Sequence, residues 1–283
     1  MAGTLYLVAT PIGNLKDMSL RAIETLKNVD VIACEDTRHT RKLLNHYDIS
    51  KPTVSYHEHN EETRSDELIK RLNAGVSVAV VSDAGTPGIN DPGFVIVQKA
   101  IEAGVYVVPI PGPVAFAAAV TTSGLATESI FFGGFLPSKS GDRRKRLAEL
   151  AFVPATLVFY ESPNRLARSL ADCLETLGNR DAAYGREITK LHEEFVRGSL
   201  DELAAQTAGQ TIKGEIVLMI DRARDEVRSE REVSTLPARV REIEAEGTDP
   251  KQALKQAARE FGVGKSEAYR LVQADKSTRG SDR

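Results

Sequence analysis

The stretch from residue 76 to residue 93 constrains the fold of this chain most. It begins with the apolar, mostly β-branched run VSVAVV and continues with the glycine- and proline-rich run SDAGTPGINDPG. The first run predicts a strand that is buried on both faces and ends at Ser82 and Asp83. Because glycines allow unusual backbone angles and prolines fix φ, the loop after the strand should be shaped and stiff.

This loop is a candidate ligand site. In an open α/β sheet, ligands bind outside the carboxyl ends of the strands, and Asp83 is the first side chain that would face such a ligand. An ordinary connection from a strand to a helix that starts at Pro92 is the alternative that the stretch alone leaves open.

Four more strands are predicted in the first 110 residues, at 5–9, 31–34, 53–56 and 105–110. Helices are predicted between them, and Ser19 has the residue type and position of a helix cap. The regular alternation of strand and helix is typical of a parallel sheet with helices on both faces.

A second domain is predicted after the hard break at residues 111–113, PGP. We expect domains at 1–112 and 113–224, followed by a linker and a small helical domain at 225–283. The strands around Arg186 and Phe195 are too close in sequence for a parallel crossover, which predicts a partly antiparallel second sheet. Ser199 and Glu202 have the spacing of a capping box.

The tail predicts a helix-turn-helix unit after a charged linker at 221–232. A first helix should bury Leu254, Ala257 and Ala258, together with Phe261. A second, capped by Ser266, should turn three residues inward: Ala268, Leu271 and Val272. Residues 251–283 carry eight Lys/Arg and four acids, a local charge of +4. That charge leaves open both a solvated face and a nucleic-acid role.

Composition narrows the class of protein. A net charge of −3 argues against wholesale attraction to nucleic acid, and a composition of 41% hydrophobic and 27% charged residues is that of an ordinary soluble protein. Cys34 and Cys173 lie in apolar patterns, which fits a reducing compartment. No leader sequence and no apolar run of membrane-spanning length is evident, so we expect a cytoplasmic protein without a membrane partner.

Several common active sites are absent from the sequence. The first predicted strand is not followed by GxGxxG, no GxSxG occurs, and residues 57–59, HEH, have no third metal ligand at a telling spacing. We therefore expect neither a metal site nor a covalent nucleophile. Loops rich in glycine and proline suit a ligand that carries its own reactive group, such as a methyl donor.

Proton removal from an alcohol acceptor would need a base. The acids at predicted strand ends are Glu35, Asp36, Asp83 and Glu161, and Lys213 is a nearby cation. A helix cap or an ion pair is the alternative for each of them. The sequence leaves the catalytic residue open among Glu35, Asp36, Asp83 and Lys213.

Seven motifs in order make the sequence similar to a known family. They are residues 3–15, 35–38, 82–93, 131–137, 159–163, 186–190 and 213–215. Together they resemble the tetrapyrrole methylase superfamily, and within it the methyltransferases that modify small-subunit ribosomal RNA. The resemblance covers about residues 3–221 and extends into the helical tail.

The resemblance implies two α/β domains with S-adenosyl-L-methionine in the cleft between them, and a small C-terminal helical domain. It also implies a homodimer that methylates the ribose 2′-hydroxyl of a cytidine in the decoding region of 16S rRNA, free or in the small ribosomal subunit. The implied cofactor contacts are Pro11, Ala84, Gly85, Thr86, Ile89, Val114, Ala115, Phe159, Tyr160 and Glu161. Val114 stands where the family often has serine, so a backbone contact would have to suffice there.

A basic cluster supports the RNA hypothesis. Arg143, Arg144, Lys145 and Arg146 follow the loop at 134–137, and four cations in a flexible loop could hold phosphates. The start of a solvated helix is the alternative. Since related folds methylate other acceptors, a tetrapyrrole or other small-molecule methylase stays open, as does a non-catalytic RNA-binding module.

Overall fold

The computed structural model describes residues 2–223, 236–245, 247–261 and 263–280. The chain divides into two compact units, 1–222 and 223–283. Most of the charged linker expected at 221–232 lies outside the described residues. Within the described ranges, no helix combines the length and apolar character needed to cross a membrane.

The first sheet of unit 1–222 is parallel throughout. Its strands are β1 Thr4–Val8, β2 Val31–Cys34, β3 Thr53–Ser55, β4 Val78–Val81 and β5 Tyr106–Ile110. They lie in the order β3-β2-β4-β1-β5, and each neighbouring pair is parallel. All four residues of the central strand β4 are buried, which confirms the prediction of a strand covered on both faces.

Helices cover both faces of this sheet. They are α1 Leu20–Asn28, α2 Thr37–His46, α3 Glu61–Asn73 and α4 Phe94–Glu102. Helices α1 and α2 bury Leu26 and Leu44 on one face, whereas α3 and α4 bury Leu72 and Ile96 on the other. Ser19 caps α1 as predicted, by accepting the N–H of Ala22 at 3.1 Å.

The start of α4 differs from the alternative that the sequence left open for this loop. Pro92 does not begin the helix, because Gly93 is its N-cap, with φ +152°. A Cβ on Gly93 would lie 2.9 Å from the amide nitrogen of Gly88. The loop folds back on itself at this point, which only a residue without a side chain permits.

The second sheet of unit 1–222 is mixed. Its strands are β6 Ile130–Phe135, β7 Thr156–Glu161, β8 Asp181–Arg186, β9 Glu194–Ser199 and β10 Ile216–Ile220, in the order β6-β7-β10-β8-β9. Only the pair β6 and β7 is parallel. The antiparallel pairing of β8 with β9 confirms the prediction made from their short connection.

Four helices pack on the second sheet. They are α5 Ala115–Ser123, α6 Ser140–Leu150, α7 Leu166–Leu177 and α8 Leu200–Thr207. Helices α6, α7 and α8 share one core with Phe159 and Leu218, while α5 packs on the other face with Val158 and Met219. Ser199 and Glu202 form the predicted capping box of α8.

Unit 223–283 contains three described helices. They are α9 Leu236–Ala245, α10 Pro250–Glu260 and α11 Lys265–Gly280, and their core includes Ala257 and Ala258 as predicted. Three details of the prediction are wrong. Helix α11 begins before Ser266, and the carbonyl of Gly264 accepts the N–H of Ala268. Phe261 and Leu271 are 42% and 44% exposed, so neither is buried in the core.

Candidate functional site

The loop after β4 and the turn after β1 are joined by backbone hydrogen bonds. The N–H of Thr10 donates to the carbonyl of Gly85 at 2.8 Å, and the N–H of Gly85 donates back at 3.1 Å. The hydroxyl of Thr10 also donates to the carbonyl of Ser82 at 3.1 Å. The two loops therefore form one surface at the carboxyl edge of the first sheet.

A cavity of about 340 Å³ lies between this surface and the second sheet. Eight of the ten expected cofactor residues line it, namely Ala84, Gly85, Thr86, Ile89, Val114, Ala115, Tyr160 and Glu161. A volume of this size is at the lower end of the range for small-molecule sites. Residues that are far apart in sequence thus meet around one space.

The other two expected residues lie elsewhere. Pro11 lines a neighbouring cavity, and the side chain of Phe159 is 1% exposed in the core under α6 and α7. Successive residues of a strand point to opposite faces, so Tyr160 reaches the cavity and its neighbour Phe159 points away. The expectation that Phe159 lines the cofactor is therefore wrong for its side chain.

Further residues line the cavity that the sequence did not single out. They are Ile12, Asn90, Asp91, Phe135, Ser162, Pro163, Ile188, Gly214, Glu215, Ile216 and Val217. Several of them belong to the seven motifs quoted above, and membership of a motif was the one sequence feature that could have identified them. Their orientation toward the cavity depends on how the two sheets face each other, which a single sequence does not show.

The rings of Tyr160 and Phe135 line the cavity, and Phe132 and Phe116 pack behind them. The ring centroid of Tyr160 lies 4.9 Å from that of Phe132 and 5.6 Å from that of Phe135, both edge to face. Phe116 of α5 stacks on Phe132 at 4.3 Å. Burial raises the pKa of Tyr160, so its hydroxyl stays neutral. Such a wall suits a flat, partly apolar ligand group.

A carboxylate also lies on this cavity. Burial, together with the charges of Glu35 and Asp83, raises the pKa of Asp91 to about 6. Burial raises the pKa of Glu35 as well, again with a contribution from Asp83. Carboxylates that raise one another's pKa in this way favour a cationic ligand beside them. The sulfonium group of a methyl donor is such a cation. The residues present therefore fit S-adenosyl-L-methionine.

Two of the strand-end acids already have structural partners. Asp36 caps α2 by accepting the N–H of Arg38 at 2.7 Å, and this bond lowers the pKa of Asp36. Glu161 is buried and accepts from the N–H of Ser162 at 2.6 Å. Its carboxylate also accepts from Arg165 Nε at 2.8 Å and Ser169 Oγ at 2.5 Å. These bonds hold the end of β7 in place.

The other three candidates differ in position. Glu35 is partly exposed and lines neither of the two cavities. Asp83 lines a second cavity of about 410 Å³, which adjoins the first and shares Ile12, Ala84 and Glu215 with it. One oxygen of Asp83 accepts the N–H of Asp36 at 3.1 Å. Lys213 is exposed and lines neither of these two cavities.

The basic cluster at 143–146 is not a flexible loop, because it lies within helix α6. Arg143 is buried, and its guanidinium lies 2.6 Å from Asp172 Oδ2. It also donates to the carbonyls of Pro137 and Ser138, at 3.0 and 3.2 Å. Arg143 therefore joins α6 to α7 and does not face solvent. Arg144 and Lys145 are exposed, and Arg146 is partly exposed.

The fold and the cleft between two sheets define the class of protein. The sequence profile of the tetrapyrrole (corrin/porphyrin) methylases matches residues 4–204. Uroporphyrin-III-C-methyltransferase from Thermus thermophilus has a similar fold, with a TM-score of 0.56 and 18% identity over 78% of this chain and 94% of that one. Another structure of that enzyme, complexed with S-adenyl homocysteine, matches with a TM-score of 0.54 and 22% identity, over 77% and 97%.

Sequence relatives give the particular family. A ribosomal RNA small subunit methyltransferase I from Halalkalibacterium halodurans is 49% identical over 276 residues, which is 96% of each chain. The relative of that name from Synechocystis sp. is 47% identical, over 95% of this chain and 97% of its own. The chain belongs to the tetrapyrrole methylases and, among them, to the ribosomal RNA small subunit methyltransferase I family. Its cofactor is S-adenosyl-L-methionine.

Proposed function

We propose that this chain transfers a methyl group from S-adenosyl-L-methionine to small-subunit ribosomal RNA. The acceptor we propose is the ribose 2′-hydroxyl of a cytidine in the decoding region of 16S rRNA. The observation that carries the proposal is the 49% identity, over 96% of both chains, to a relative named ribosomal RNA small subunit methyltransferase I.

The cofactor supplies a preactivated methyl group, so the chain has to align the two partners and accept a proton. We place the cofactor in the 340 Å³ cavity, against the loop at 84–89 and the ring of Tyr160. Positive φ at Gly85, +85°, brings the backbone of the loop close to the cavity without a side chain. Glu161 and Arg165 hold the end of the strand that carries Tyr160.

Asp83 is the group we propose as the base. The candidates are Glu35, Asp36, Asp83 and Lys213, and of these four Asp83 alone lines the second cavity. Its neighbour Ala84 lines both cavities, so Asp83 lies near the place where they meet. Only one of its oxygens accepts a hydrogen bond from Asp36, so the other can accept the hydroxyl proton. Asp36 is held by its capping bonds, and Glu35 and Lys213 line neither cavity.

We propose that residues 1–112 and 113–224 act as two lobes around the cofactor, and that 225–283 form a linker and a small accessory domain. A homodimer acting in the cytoplasm, where ribosomal subunits are found, completes the proposal. The exposed members of the basic cluster, Arg144 and Lys145, and the partly exposed Arg146 are candidates for contact with RNA phosphates.

Methylation of purified ribosomal particles tests the function. Small subunits and free 16S rRNA are incubated with labelled S-adenosyl-L-methionine, and the modified nucleotide is mapped. We expect label at one cytidine ribose. No transfer to any rRNA form would contradict the proposal. Transfer to a tetrapyrrole such as uroporphyrin III would favour a small-molecule methylase, and absence of donor binding in calorimetry would favour a non-catalytic module.

A further inference from the structure

The second cavity differs in chemistry from the one that would hold the cofactor. Its lining is more polar than that of the first cavity and comes from the turn after β1, one face of α2, Asp83 and Lys190. The α2 residues on it are His39, Lys42 and Leu43, which lie three and four positions apart and so share a face. A ligand in this cavity would lie next to the methyl donor, because the two cavities share Ala84.

The two lysines that line the second cavity differ in whether a carboxylate pairs with them. Lys190 Nζ lies 2.9 Å from Glu187 and 3.0 Å from Glu215, so two carboxylates already neutralise it. Lys42 is exposed on α2, and among the residues that the structure describes no carboxylate forms an ion pair with it. His39 is one helical turn away on the same face. The α2 side of the cavity therefore offers a positive charge that the protein does not itself use.

The turn opposite α2 is held close to the second sheet. A Cβ on Gly13 would lie 2.4 Å from Cγ of Lys190 and 3.0 Å from Oγ1 of Thr189. Any side chain at position 13 would push these two segments apart. Gly13 and Lys190 both line the second cavity, so their close packing fixes the position of one side of it.

We propose that the second cavity is the subsite for the acceptor nucleotide, with Lys42 binding the phosphate next to the ribose that is methylated. This inference rests on the proposed function, since it takes the acceptor to be RNA. With the phosphate on Lys42, the ribose lies toward Ala84, between the methyl donor and Asp83. The 2′-oxygen then forms a bond to the methyl carbon while the carbon–sulfur bond breaks, and the hydroxyl proton passes to Asp83.

The test compares the full-length variants Lys42→Ala and Lys42→Arg with the control Lys70→Ala. Lys70 is also an exposed helical lysine, but it lies on α3, which covers the opposite face of the first sheet. Small ribosomal subunits and S-adenosyl-L-methionine are the substrates. Because a phosphate contact acts on substrate and transition state alike, Lys42→Ala should raise KM for subunits about ten-fold with little change in kcat. The slope of log affinity against log salt should become shallower by about 0.7 to 0.9, the value of one phosphate.

Lys42→Arg should restore most of the affinity, and all three variants should bind the donor in calorimetry as the parent chain does. Identical KM and salt slope in Lys42→Ala and Lys70→Ala, in an active parent chain, would overturn the subsite alone. A parent chain that binds the donor but methylates no rRNA would overturn the proposed function, and the subsite with it. An effect of Lys42→Ala on a tetrapyrrole acceptor only would assign the cavity to a small anionic molecule and would also overturn the inference.

Discussion

Gly85 faces Ile12 across the edge of the cofactor cavity. A Cβ on Gly85 would lie 3.4 Å from Cγ2 of Ile12 and 3.7 Å from the carbonyl of Pro113. We expect Gly85→Val to abolish binding of S-adenosyl-L-methionine, because the added side chain fills the space beside the loop. The left-handed backbone should cost about 1–2 kcal/mol of stability in addition. Isothermal titration calorimetry measures the affinity.

Gly104→Val is the control for this variant. Gly104 also has positive φ, +68°, and a Cβ there would have no neighbour within 4 Å. It should lose a similar amount of stability and keep its affinity for the donor. Unchanged affinity in Gly85→Val would remove the cofactor from this loop.

Asp91 should make stability depend on pH. Its pKa of about 6 is above the ordinary 3.8. The protonated carboxyl therefore contributes its full stabilisation of the folded state below about pH 4, and this stabilisation is lost as pH rises through 6. Asp91→Asn should therefore gain stability relative to the parent between pH 4 and pH 7, by at most about 3 kcal/mol. Urea unfolding at both pH values measures the difference.

Asp48→Asn is the control, because Asp48 is an exposed carboxylate in a turn whose positive φ, +53°, asparagine also tolerates. If the gain in unfolding free energy from Asp91→Asn is the same at pH 4 and pH 7, the pKa of Asp91 is not raised in the folded protein.

Substitutions at Arg143 and at its exposed neighbours in α6 should differ in how much they lower the free energy of unfolding. Arg143→Ala leaves Asp172 without its buried partner, which should cost about 3–5 kcal/mol in the free energy of unfolding. Lys145→Ala, at an exposed position of the same helix, should change it by less than about 0.5 kcal/mol. Chemical denaturation measures both, and equal losses would contradict the assignment of Arg143 to the core.

The exposed side of the same helix should affect RNA binding. We expect the double variant Arg144→Gln and Lys145→Gln to bind small subunits more weakly and with a salt slope shallower by about 1 to 2, since each cation can neutralise one phosphate. Binding is measured by filter retention over a range of salt concentrations. An unchanged slope would remove this helix from the RNA interface.

The first sheet was largely predictable from the sequence because its signals are local. A run such as residues 78–81 is apolar at every position, and the only place for such a strand is the middle of a covered sheet. The caps at Ser19 and Ser199 were also predictable, since a capping hydrogen bond spans only a few residues.

The site was predictable by motif but not by orientation. Tyr160 and Phe159 belong to one motif, yet only Tyr160 lines the cavity, because the strand alternates and the sequence does not show which face is which. Arg143 reads like its basic neighbours until the ion pair to Asp172, 29 residues away, is known. Contacts of this kind depend on the tertiary fold.

The most direct test is a crystal structure of the chain with S-adenosyl-L-methionine bound. We expect the donor between the two sheets, with its ring system near Tyr160 and its methyl group directed toward Ala84 and the second cavity. A fully occupied donor at another place, with the space beside Gly85 empty, would contradict it.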